Sequence, residues 1–78
     1  MFENILYKID NENKRLTDNI YVDFQNNGDG TVWFNSSQID TLKLSVGDIV
    51  HFSAGDCTSN TNYRVTQIYL NAILCEKS

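Results

Sequence analysis

The chain has 78 residues, 41% of them hydrophobic, with six lysines and arginines against ten aspartates and glutamates and a formal net charge of -4. That length allows one small domain, residues 1–78, whose core is too limited to spare room for elaborate buried polar machinery. The negative balance, relieved by no run of basic residues, argues against tight binding to a nucleic-acid backbone, whose affinity comes from neutralised phosphates. No apolar run reaches the length of a membrane span, and the N-terminus opens on Phe2 and Glu3 instead of a basic segment, so neither a membrane anchor nor a secretory leader is expected and the cytoplasm is the default compartment.

Residues 1–9 fit two periods. Phe2, Ile5, Leu6 and Ile9 have helical spacing, with Glu3 early and Lys8 late as the helix dipole prefers; Ile5, Tyr7 and Ile9 equally fit a strand face. A strand is preferred because the rest of the chain reads as β, and "DNENKRLTDN" then ends it in polar loop. Ile20, Val22 and Phe24 alternate with Tyr21, Asp23 and Gln25, the period of a strand with one buried face. "NNGDG", 26–30, interrupts with Gly28 and Gly30, which permit the positive φ of a tight turn, and "TVWF" restarts the β chemistry, so 19–25 and 31–35 form a predicted hairpin.

"SSQIDTLKL" is mixed, and predicts a short turn or single helical turn around 37–41. Gly47 and Asp48 then turn the chain into a strand over 48–53, with Val50 and Phe52 on one face. "SAGDCTSNTN", 53–62, is a polar, exposed stretch. "YRVTQIYLNAILCEK" has β-formers on both sides of Leu70-Asn71, a second hairpin whose closing strand is 72–76. About five short strands with no long helix cannot bury their apolar faces as an open sheet, so the expected fold is all-β, a small, partly open antiparallel barrel. With no proline in the chain, its edges need charge, twist or a partner strand for protection.

No reactive constellation emerges, and no enzyme activity, cofactor or metal is expected. Gly47 lacks the glycine-rich strand-to-helix setting of a phosphate loop, which leaves it a turn residue, with Asp48 accepting backbone hydrogen bonds. Asp23, Asn27 and Gly28 match positions one, five and six of a calcium loop, but position three is Gln25, position twelve is Phe34, and both flanks alternate as strands. His51 is the only histidine, a strand residue with a structural or surface role. Cys57 and Cys75 match no metal or redox spacing and read as free thiols. Asn35-Ser36-Ser37 is a glycosylation triplet with no secretory route to use it.

Aromatic residues are the better lead. Tyr21 and Trp33 fall opposite the apolar sets of their strands and, in a regular hairpin, would lie together on the outside of the sheet, where such side chains bury much area while keeping a polar handle. They are the expected protein-binding residues, for a partner or for self-association.

"LSVGDIVHFSAGD", then "TNYRVTQI" and "AILC", resembles an arrangement of SH3-like barrels in which glycine-aspartate enters a strand, a loop follows, and a tyrosine-x-valine strand is answered by a short last one. Within that class the chain is similar to the small head-to-tail connector, or stopper, proteins of tailed bacteriophages, through Gly47, Asp48, Val50, Tyr63, Val65 and Ile68. The resemblance covers roughly residues 42–76 and implies an SH3-like barrel, ring assembly and a place in a virion. The expected function is therefore a non-enzymatic binding or assembly module. The alternative is a nucleic-acid-binding small barrel that stacks bases on Trp33 and Tyr21 with help from Lys43 or Arg64.

Overall fold

The computed structural model describes residues 3–55 and 60–78 and is all β apart from one 3-10 turn. Its strands are β1 (Ile5–Ile9), β2 (Ile20–Tyr21), β3 (Asp23–Asn26), β4 (Thr31–Asn35), β5 (Ile49–Ser53), β6 (Asn60–Ile68) and β7 (Ala72–Lys77). All pairings are antiparallel, in the order β2-β1-β5-β6-β7-β4-β3. The two ends of that order are neighbours in the chain. β2 and β3 are one extended segment divided at Val22, the first part paired with β1 and the second with β4. That segment closes the sheet into a six-stranded barrel.

The expected all-β barrel is therefore present, closed where a partly open one was expected and with one strand more than about five. Closure depends on β1. Five residues are too few to sustain a helix by themselves, whereas as a strand they gain a five-residue ladder with β5 and bury Leu6 and Ile9. The helical alternative for the N-terminus is overturned over Ile5–Ile9; Phe2 lies outside the described residues.

Inward residues follow the period of two. Val32 and Phe34 from β4, Val50 and Phe52 from β5, Tyr63 and Val65 from β6, and Ile73 and Cys75 from β7 form the core with Leu6, Ile20 and Val22. Phe34 lies at its centre, its ring 5.6 Å from Phe24, 5.2 Å from Phe52 and 5.3 Å from Tyr63. The single 3-10 turn, Ile39–Leu42, matches the expected turn around 37–41 and adds Ile39 and Leu42 to the core.

The turn residues lie where the sequence places them. Gly28 and Gly30 have φ of 85° and 95° at the β3–β4 turn, and Asn27 N–H donates to Thr31 O at 3.0 Å. Gly47, with φ 97°, occupies a conformation that a side chain would disfavour by about 1 kcal/mol. Its N–H donates to Val65 O at 2.8 Å, and Val65 N–H donates to Asp48 O at 2.9 Å, so the turn is latched to β6. The Asp48 carboxylate accepts from Ser45 N–H at 2.7 Å and pairs with Lys8 Nζ at 3.3 Å. The Gly47-Asp48 pair is thus a structural device that ties three parts of the barrel. The second hairpin turns at residues 69–71, and its first strand starts earlier than the polar composition of 53–62 suggests, because Asn60–Asn62 pair with His51–Ser53.

Candidate functional site

Trp33 projects from the outer face of β4, between Gln25 of β3 and Leu74 of β7 in register. Val32 and Phe34 on either side of it face the core, so strand alternation alone sends Trp33 outward. Tyr69 folds back from the β6–β7 turn to lie 5.4 Å from the Trp33 ring, at 49°. Ile68, Tyr69 and Leu70 together are exposed, Leu70 by 88%. Beside them runs a groove of about 230 Å³ lined by Ile39, Asp40, Lys43 and Leu44 from the connector between β4 and β5, together with Ile68, Tyr69 and Leu70. The turn is pinned to that connector, since Ser36 N–H donates to Asn71 O at 2.9 Å, and it is closed on itself by Tyr69 N–H donating to Ala72 O at 2.8 Å. An apolar cap is the result, held by those backbone hydrogen bonds and unfilled by any other described part of the chain.

Tyr21 is elsewhere. It is 58% exposed on β2, opposite Ile5 of β1, and lines a second, polar depression of about 480 Å³ with Glu3, Asn4, Asp23 and residues 35–38. The β3–β4 register ends at Asp23 opposite Asn35, while Trp33 faces Gln25. The expectation that Tyr21 and Trp33 lie together on one face is thereby corrected. The chain changes partner at Val22, and Tyr21 leaves with β1 instead of β4.

A third cluster covers the outside of β1, β5 and β6. The Arg15 guanidinium lies 4.6 Å from the Tyr7 ring centre, and Tyr7 packs 5.2 Å from His51. His51 Nδ1 is 2.8 Å from Asn62 Oδ1, whose amide nitrogen donates to Asn13 Oδ1 at 3.0 Å. The Asn62 oxygen can only accept, so Nδ1 carries a proton and donates. Asn60 Oδ1 lies 3.4 Å from Nε2. Among the described residues the histidine's hydrogen-bonding neighbours are amides, which neither attack nor exchange protons at neutral pH. The arrangement clasps the loop after β1 to the barrel wall.

The two cations considered for nucleic acid, Lys43 and Arg64, differ in their neighbours. Arg64 is engaged by Glu76, 3.0 Å away, and Lys43 lines the apolar groove. The calcium-loop positions fall on β3 and its turn, with Phe34 in the core. Among the described residues no group of three or more His, Cys, Asp or Glu is placed to hold a metal, and no helix is long and apolar enough to cross a membrane. Asp29 has its carboxyl held below the usual carboxylate range, chiefly by the Thr31 hydroxyl and then by the Thr31 N–H.

Cys75 is buried, and burial pushes its thiol up to about 12; Cys57 lies outside the described residues, and with it any pairing of the two. In a Cys57→Ser background, Cys75 is expected to resist a disulfide reagent at pH 8 in the native protein and to react promptly in denaturant. Linkage gives a second readout. The native thiol stays neutral while the unfolded one ionises from about pH 8.5, so this contribution is intact at neutral pH and declines by up to about 1.4 kcal/mol per pH unit above that, until the native group titrates. Fast labelling without denaturant, or an alkaline decline unchanged by Cys75→Ala, would contradict the assignment.

No protein-family model, curated protein sequence or solved structure matches this chain.

Proposed function

We propose that this protein is a non-enzymatic binding or assembly module whose contact surface is the apolar cap formed by Trp33, Tyr69, Leu70 and Ile68. The observation that carries the reading is Leu70, 88% exposed at the tip of the β6–β7 hairpin beside an aromatic pair and a groove. A leucine and a tyrosine held out to water in this way cost solubility unless a partner or a second copy covers them. Aromatic anchors surrounded by smaller apolar groups are where binding energy concentrates, with charged rims tuning association more than holding it. Trp33 retains its expected role as an anchor, and Tyr21 is a separate exposed aromatic that would serve a second contact.

The resemblance to bacteriophage connector proteins supplies the narrower version of this reading, an SH3-like joining component located in a virion; without it the module is placed in the cytoplasm. Portal, capsid and tail genes on either side of the coding sequence would support the narrower version, and an unrelated neighbourhood would remove it.

Leu70→Glu and Trp33→Ala are each expected to weaken self-association or partner capture at least about tenfold, roughly 1.4 kcal/mol or more, with the circular dichroism spectrum unchanged. Sedimentation velocity and pull-down measure this. Unaltered assembly in the folded variants would place the interface elsewhere.

A further inference from the structure

The groove beside the β6–β7 hairpin tip carries both halves of a contact. Leu70 is a projecting apolar side chain and at the same time one of the residues that line the groove. Ile39, which is buried, and Leu44, which is half-buried, bring the apolar lining from the connector between β4 and β5. Tyr69 completes it, its ring backed by Trp33 at 5.4 Å. A space of about 230 Å³ has room for one leucine side chain. Knob and groove therefore belong to a single patch.

Charge marks the same patch with one residue of each sign. Asp40 and Lys43 are both exposed, both line the groove, and are joined through the 3-10 turn, where Lys43 N–H donates to Asp40 O at 3.2 Å. Lys43 has φ 52°, a left-handed conformation that glycine or asparagine adopts more readily. A lysine at that position keeps a cation at the groove where turn geometry by itself favours glycine. Neither Asp40 nor Lys43 is in an ion pair with a described residue; the two ion pairs among the described residues are Lys8 with Asp48 and Arg64 with Glu76. No other charged side chain among the described residues lines the groove, so its charge is balanced locally although the chain carries -4. A partner of one strong charge would set one of the two groups against its own sign. A second copy turned about a two-fold axis instead offers Lys43 to Asp40 and Asp40 to Lys43.

We propose that the occupant of the apolar cap is a second copy of this chain, in a two-fold dimer where Leu70 of each copy enters the groove of the other and Asp40 faces Lys43 across the rim. A patch that contains both knob and groove serves both copies at once, the isologous arrangement that closes at two, whereas a ring or fibre needs two different surfaces. The inference rests on the cap being the contact surface and adds what fills it.

The test is sedimentation velocity of the full chain from about 5 µM to about 500 µM at about 0.15 M salt, where a monomer–dimer equilibrium that stops at two is expected. Asp40→Lys and Lys43→Glu, each checked by circular dichroism, are expected to weaken the dimer at least about tenfold. Mixed in equal amounts, the two variants are expected to recover it as a heterodimer, resolved by native mass spectrometry with one of them isotope-labelled. Asp40→Lys also lowers the net negative charge of the chain, so bulk repulsion alone predicts the opposite result, a tighter dimer. A monomer throughout that range, species larger than a dimer, or no recovery in the mixture would overturn the proposal. A monomer whose capture of another protein is lost in Leu70→Glu would overturn the second copy as occupant while leaving the cap as the contact surface. A dimer indifferent to Leu70→Glu would overturn both.

Discussion

Phe34→Ala is expected to cost about 3–5 kcal/mol, enough to leave much of the protein unfolded at room temperature. The side chain is fully buried, and the rings of Phe24, Phe52 and Tyr63 converge on it from three other strands. Removing the ring leaves a cavity whose walls belong to separate ladders, and a closed barrel cannot collapse on one side without breaking register on another. Urea denaturation read by circular dichroism gives the loss directly, and Phe34→Leu, which keeps most of the volume, should recover more than half of it. A cost below about 1 kcal/mol would show that the aromatic cluster does not organise the core.

Gly55→Ala is expected to cost about 3 kcal/mol despite adding one methyl group. A Cβ at this position would collide with Glu3 N and Glu3 O, which are backbone atoms that cannot swing aside. The two segments meet because β1 and β5 run on past Ile5 opposite Ser53, and because Gly55 N–H donates to Asn4 Oδ1 at 3.2 Å. Relief would require peeling the entry of β1, the strand on which closure depends. Gly28→Ala is the control. No atom lies within 4 Å of a Cβ there, and only the positive φ opposes it, so about 1 kcal/mol is expected. Comparable losses at the two positions would mean that conformational preference, and not close approach, explains Gly55.

The same comparison shows where the sequence could be read and where it could not. The need for glycine at 28, 30 and 47 is visible in the turn chemistry around each, since the neighbours that demand it are adjacent in the chain. Gly55 lies in a polar stretch that reads as exposed, and its constraint comes from Glu3, which no local pattern connects to it. Trp33 was legible as an outward aromatic because the alternation of 31–35 is unbroken. Its companions Tyr69 and Leu70 were not, because a hairpin tip has no period to show which way its side chains turn. Tyr21 obeys the alternation and is exposed, yet its neighbourhood is not legible in the sequence: a strand that changes partner at one residue looks, in sequence, the same as one that does not.

The sequence by itself determined the class of the fold, the positions of the two hairpin turns and of the Gly47-Asp48 latch, and the inward and outward sets on most strands. Those follow from side-chain period and backbone conformation, which act over a few residues. Only the tertiary structure decided that Ile5–Ile9 join β5 and that the 20–26 segment divides at Val22 to close the barrel. These are pairings between residues far apart in the chain. Their energies depend on which hydrogen-bonding edges and apolar faces meet in space, and a pattern local to either segment contains no record of that.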